Sequence, residues 1–233
     1  SLYLIYKNYI DNFDIYKNDF SNFLLYPPYS HKYPYPEHHL KKNIARFKEI
    51  IDKNILVNTD EVGNPNLMNL TKYNFKNVSP HTFDSLHTCS IIIEKFKNKK
   101  ITSIMEIGGS YGNLCHLLYN YFNFENFLSV ELPYKIETQK YYFSNFPEIN
   151  EKIKYLEPND AISYNNEEKY DLFLSVWAID ELIDDYFDKY LNNFVQYCKH
   201  GMIFMVYDEQ KISKIKKFQP DLIFDKETRI LTF

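Results

Sequence analysis

The chain has 233 residues, 45% of them hydrophobic and 25% charged, a balance that supports a buried core and excludes a largely disordered polymer. A formal net charge of −4 argues against a broad phosphate-binding surface, so no nucleic-acid partner is expected, and no uninterrupted apolar run reaches the length of a membrane span. Cys89, Cys115 and Cys198 are odd in number, widely spaced and form no C-x-x-C pair, so neither a disulfide framework nor a zinc site is suggested and the cytoplasm is the expected location.

In chain order, Tyr6, Tyr9, Phe13, Tyr16, Phe20 and Phe23 are spaced to draw an aromatic stripe down one side of a helix. Such a stripe must be buried, against the main domain or in a homodimer, with direct contact to a ligand the alternative. Prolines 27, 28, 34 and 36 exclude a regular helix over 27–39. The tyrosines and histidines there suit a lid over a polyol acceptor, with a plain structural loop the other reading, while His38 and His39 lack the spaced partner a metal would need. A polar stretch from Asn58 to Asn77 reads as a long loop containing Gly63-Asn64-Pro65. Residues 1–78 are therefore expected to form a helical and loop extension, and 79–233 the main domain. Ser79-Pro80 supplies a cap and a first-turn proline for a helix carrying Phe83, Leu86, Ser90, Ile93 and Phe96, together with His81 and His87.

The order then predicted is strand 101–107, helix 112–122, strand 127–131, helix 134–146, strand 153–156, strand 171–176, helix 182–198 and strand 202–207. Leu222-Ile-Phe224 and Arg229-Ile-Leu-Thr-Phe233 are read as a terminal strand pair. This alternation predicts an α/β fold of Rossmann-like type, a mostly parallel seven-stranded sheet with helices on both faces. Lys211-Ile-Ser-Lys-Ile-Lys-Lys217 reads as a solvated helix face.

Three of the five glycines, Gly108, Gly109 and Gly112, fall directly after the first strand. That is where α/β proteins bring a nucleotide close to the main chain. The window Glu106-Ile-Gly-Gly-Ser-Tyr-Gly112 is neither a dinucleotide fingerprint, because Ser110 and Asn113 stand where glycines belong, nor a P-loop. Glu106 at the strand end would repel a pyrophosphate and suits a cofactor with a cationic amino group and a sulfonium, S-adenosylmethionine. Glu131, about 20 residues on at the end of the second strand, is placed to accept from ribose hydroxyls. Leu132 lies beside it. Asn159 and Asp160, after the third strand, and Ser175 and Trp177, after the fourth, border the same crevice; similarity to methyltransferases, in which the segment after the third strand borders the adenine, implies Asn159 or Asp160 as the candidate for its amine.

Met105-Glu-Ile-Gly-Gly-Ser-Tyr-Gly-Asn-Leu114, Val130-Glu-Leu-Pro-Tyr134, Thr138-Gln-Lys-Tyr-Tyr-Phe-Ser144 and Tyr170-Asp-Leu-Phe-Leu-Ser-Val-Trp-Ala-Ile-Asp-Glu-Leu182 resemble the sugar O-methyltransferases. Val62-Gly-Asn-Pro65 is similar to a loop that precedes the cofactor domain in that family. Together these segments span most of residues 60–200. The family more often has a glycine where this chain has Ser110, and an aspartate where it has Glu131. The resemblance implies a methyltransferase-type sheet, a cofactor site that includes the turn Gly108, Gly109, Ser110, Tyr111 and Gly112, and a sugar or sugar-derived acceptor on a surface glycan.

Methyl transfer to a hydroxyl requires alignment and a base for its proton. Asp180 and Glu181 are the best-placed carboxylates, followed by His81 and His87; no spacing demands a metal. The same residues are compatible with a small-molecule, phosphorus-containing or nitrogen acceptor. An inactive binding partner with this fold remains a reading of another class. An NAD-dependent oxidoreductase is disfavoured by the misplaced glycines.

Overall fold

The computed structural model describes residues 13–14, 17–26, 35–50, 59–164 and 169–233. They divide into two units, one drawn from residues 1–98, 111–121 and 137–147, the other from 99–110, 122–136 and 148–233.

The second unit holds the whole sheet: β1 (Ser103–Ile107), β2 (Asn126–Val130), β3 (Ile153–Leu156), β4 (Tyr170–Val176), β5 (Cys198–Phe204), β6 (Ile223–Asp225) and β7 (Ile230–Thr232). Its order is β3-β2-β1-β4-β5-β7-β6. The first five strands run parallel and β7 lies antiparallel between β5 and β6, which is the Rossmann-like α/β arrangement expected, terminal pair included. After β3 the chain crosses to the other side of β1, so the switch in strand order falls between β1 and β4, where ligands of such sheets bind.

Alternation along the strands sorts the side chains by face. Met105, Ile107, Leu128, Val130, Phe173 and Ile203 bury against Ala161, Phe187, Tyr190, Leu191 and Ile215. The last five come from α6 (Pro158–Ser163), α7 (Asp184–Asn193) and α8 (Glu209–Phe218). Ile104 and Glu106, also buried, face the other way. At the amino end of the sheet Asp171 accepts from the Thr102 and Ser103 N–H groups at 2.8 and 3.1 Å and from Lys199 at 2.6 Å.

In the first unit, α1 (Glu37–Ile50) packs on α2 (Pro80–Phe96). Ser79 caps α2 by accepting from the Thr82 N–H at 3.0 Å, with Pro80 in the first turn as expected. Asp60 holds that cap, accepting from the Ser79 N–H at 2.9 Å and the Thr82 hydroxyl at 2.7 Å. The remaining helices in chain order are α3 (Asn113–Phe122), α4 (Pro133–Ser144) and the single turn α5 (Pro147–Asn150).

Several boundaries differ from expectation. His38 and His39 lie in the first turn of α1, since Pro36 sits ahead of that helix rather than inside it. The helix expected over 182–198 stops at Asn193, where Phe194 leaves helical geometry (φ −128°, ψ −58°), and a short 3-10 turn leads into β5 at Cys198. The expected strand 202–207 is accordingly β5 displaced toward the amino end. Of the aromatic stripe, Tyr6, Tyr9 and Tyr16 lie outside the described residues. Phe20 and Phe23 occupy a 3-10 turn, Phe20–Leu25, that is kinked at Asn22. Phe23 is fully buried there, edge-on to Tyr111 at 5.4 Å, and the Leu24 N–H donates to the Gly63 carbonyl at 3.1 Å.

Cys89, Cys115 and Cys198 are buried free thiols, and burial pushes Cys89 and Cys198 well above the ordinary thiol value. Among the described residues no helix is long and apolar enough to cross a membrane.

Candidate functional site

The turn after β1 runs through three left-handed residues, Gly108 (φ +82°), Ser110 (φ +54°) and Gly112 (φ +99°). Gly108 is required twice over. Its φ disfavours any side chain, and an added Cβ would lie 2.2 Å from the Ala178 Cβ in the segment after β4. Gly112 is equally constrained, because a Cβ there would enter the Phe143 ring at 2.3 Å. Ser110 occupies the position where the resembling family favours glycine, and its positive φ supplies the physical reason for that preference. The turn is fastened to β2 by two amides: Gly108 N–H donates to the Val130 carbonyl at 3.1 Å and Ser110 N–H to Glu131 Oε2 at 2.9 Å.

Two carboxyls stand at the ends of these adjacent strands. Glu106 is 2% exposed and its Oε2 has no hydrogen-bond partner. Burial first, then the neighbouring Glu131 charge, pushes its carboxyl up to about 8. Glu131, 5% exposed, is provided for differently: Oε2 takes the Ser110 amide, Oε1 takes the Leu132 amide at 2.8 Å, and Lys135 Nζ lies 3.8 Å away. A carboxylate has about four lone-pair sites, so both oxygens of Glu131 retain capacity for a ligand's hydroxyls. Leu132 itself is half-buried.

Beyond β3, Asn159 and Asp160 are exposed in the first turn of α6. Beyond β4, Ser175 is buried and its hydroxyl accepts from the Ile179 N–H at 3.0 Å, which starts the tight 3-10 turn Ile179–Glu181. Trp177 is 42% exposed and adopts φ +55°, an unusual backbone state for a bulky residue. Its N–H still donates to the Phe204 carbonyl at 2.9 Å, so pairing with β5 holds up to the strained residue, one position beyond the end of β4. Asp180 Oδ2 accepts from the Val206 N–H at 3.0 Å, while Oδ1 is buried without a partner. Glu181, at the next position, is exposed overall, but partial desolvation of its carboxyl, then the Asp180 charge, raise it above the ordinary glutamate value against the pull of Lys135.

The structure thus brings Glu106, Gly108, Ser110, Glu131, Leu132, Trp177, Asp180 and Glu181 to the carboxyl ends of β2, β1 and β4, with Asn159 and Asp160 after the adjoining β3. Gly109 is buried within the same turn. Tyr111 and the histidines belong to the first unit. Tyr111 is 2% exposed in an aromatic cluster with Phe23, His81 and Tyr142. His87 sits on α2 beside His39, its ring lowered in basicity by burial and then by Arg46, His39 and Lys42.

Two contributors were not anticipated. Lys135 stands four residues after Glu131, a spacing visible in sequence once a helix start is placed at Pro133. Lys211 leaves no such signal, because it opens the run that reads as a solvated face. Its ammonium donates to the carbonyls of Asp180 and, at 3.0 Å, Leu182, and lies 5.2 Å from the centre of the Phe187 ring. Among the described residues no three His, Cys, Asp or Glu side chains gather as a metal site would require.

No protein-family profile and no curated protein sequence matches the chain. Solved structures do. The methyltransferase domain of bacterial CtHen1-CN is 12% identical, with a TM-score of 0.49 over 62% of this chain and 95% of that one. A S-adenosylmethionine-dependent methyltransferase from Clostridium acetobutylicum ATCC 824 is 20% identical (TM-score 0.41), over 49% of this chain and 48% of that one. The glycopeptide N-methyltransferase MtfA, complexed with S-adenosyl-L-methionine, is 10% identical (TM-score 0.42), over 51% and 50%. Likenesses this distant leave the reading of the site to the chain's own residues.

Proposed function

We propose that the chain is an S-adenosylmethionine-dependent O-methyltransferase whose acceptor is a sugar or sugar-derived group of a surface glycan. The observation that carries this reading is Glu106 Oε2, a buried carboxyl oxygen without a partner, two residues before a left-handed glycine turn and one strand from a second carboxylate. That arrangement fits the group: an orphaned acid suits an ammonium, and Glu131, with its amide bonds made, retains lone pairs for vicinal hydroxyls. An unsatisfied buried acid would be hostile to a pyrophosphate, which is why a dinucleotide is the poorer fit.

When bound, the cofactor supplies an electrophilic methyl carbon on a sulfonium. The chain supplies position and a proton acceptor. Gly108 lets the β4 segment approach the turn, Ser110 N–H fixes Glu131, and Asn159 or Asp160 is placed for an adenine amine. Asp180, anchored through one oxygen by Val206, presents the other to an acceptor hydroxyl, a general-base role worth about 10²–10⁴-fold in rate. The exposed Trp177, three residues ahead of Asp180 in the same segment, offers an aromatic face, a surface on which the apolar face of a sugar ring packs. The sugar acceptor rests on this ring and on the sequence resemblance.

Calorimetric titration with S-adenosylhomocysteine, run beside NAD, tests the cofactor. Saturable binding of the first alone is expected, and Glu131→Ala should weaken it at least tenfold. Binding of neither by the folded chain refutes the reading. Labelled methyl donor with a panel of sugars then tests the acceptor, and Asp180→Asn should depress turnover more than cofactor affinity.

A further inference from the structure

The pair Glu106 and Glu131 is asymmetric in a way that goes beyond holding a ligand. Glu131 has two backbone amides and a lysine to satisfy a negative charge. Glu106 Oε2 has nothing, is removed from water, and faces the Glu131 charge. An isolated carboxylate is costly to bury, and two like charges on neighbouring strands cannot both be carried cheaply, so the acid with the poorer environment takes the proton.

Resting on the cofactor reading above, we propose that Glu106 is the neutral acid in the ligand-free site and releases its proton as the cationic amino group of the ligand enters. Ligand and proton then compete for one buried oxygen. The O–H bond of Glu106 breaks, the proton leaves to solvent, and the carboxylate so formed pairs with the ammonium, so charge is conserved within the site. The site thereby selects for positive charge: a neutral or anionic ligand of the same shape has no means of displacing the proton. The elevation of Glu106 to about 8 supports this. Among the described residues, Lys135 lies 3.8 Å from Glu131 and also acts on Glu181, and Tyr190 senses the Glu131 charge but is raised above its ordinary value chiefly by burial.

Two measurements separate this inference from the reading beneath it. Calorimetric titration with S-adenosylhomocysteine at pH 7, repeated in buffers of different ionisation enthalpy, counts the protons exchanged. About nine-tenths of a proton should be released per ligand bound, and affinity should rise nearly tenfold per pH unit between pH 6 and 7. Glu106→Gln should abolish both the release and the slope while still binding, more weakly. Independently, infrared spectra of the ligand-free protein at pH 7 should contain a protonated-carboxyl band missing from Glu106→Gln. Ligand binding with no buffer dependence, or no band difference, overturns the inference and leaves the cofactor reading standing. No ligand binding by folded wild-type protein overturns both.

Discussion

Gly108 shows how one missing carbon sets the spacing of two strand ends. Gly108→Ala would combine a strained φ with a 2.2 Å approach to Ala178, and should cost about 1–3 kcal/mol of stability and at least tenfold in ligand affinity, measured by denaturant melts and calorimetry. Glu106 carries a different cost. Its ionisation is suppressed in the fold, so the stability associated with it is complete below the ordinary glutamate value of 4.5 and declines as pH rises toward about 8. Wild-type melting temperature should therefore fall between pH 5 and 8, and Glu106→Gln should flatten that fall; parallel curves for the two proteins would mean Glu106 is not the group responsible. The sequence made both residues legible, one by a cluster of scarce glycines and the other by a lone acid ahead of them. It did not reveal that Glu106 Oε2 is buried without a partner, because burial is a property of the assembled sheet. Nor did Ser110 or Trp177 betray a left-handed backbone, which in neither case is the residue's own preference.

Elements were readable where periodicity was clean. The strand over 153–156 matched to the residue, and α2 was announced by its Ser79-Pro80 cap. β5 was misplaced because its second and third residues, Lys199 and His200, are polar and look like a loop. Their polarity is explained by the neighbouring strand, where burial raises the Asp171 carboxyl but bonds from Lys199 and Thr102 outweigh it and hold the group well below the ordinary aspartate value. A depressed acid stabilises at neutral pH and loses that contribution on acidification below about pH 4. Asp171→Ala should thus cost about 1–3 kcal/mol at pH 7, a cost that begins to shrink below about pH 4 and keeps shrinking as the pH is lowered further, read from urea melts across that range. Lys211 ties α8 to the turn that carries Asp180, a link between elements that no window of sequence contains. Lys211→Met should leave two carbonyls short of a donor, cost about 1–3 kcal/mol, and reduce kcat more than it raises KM by loosening Asp180.

At the scale of the whole molecule, the reading predicts that ligand binding and stability move together. Saturation with S-adenosylhomocysteine at one hundred times its Kd should add about 2.7 kcal/mol, roughly 5–10 °C in Tm for a chain of this length, and NAD should add none; an unchanged Tm would contradict the cofactor assignment. At its described end, Phe20 to Phe23, the aromatic stripe signalled burial in Phe23 correctly, but the element there is a 3-10 turn that Asp19 caps and Asn22 interrupts. A helix period cannot distinguish a continuous helix from a segment whose contacts are supplied by a distant loop at Gly63. Trp177 has one more consequence. It is the only tryptophan in the chain and is 42% exposed after β4, so light absorbed by indole and not by the 22 tyrosines reports from that single point. The protein carries its own optical probe at the proposed acceptor mouth, and its emission should shift to shorter wavelength when an acceptor covers the ring, allowing binding to be followed without label or turnover.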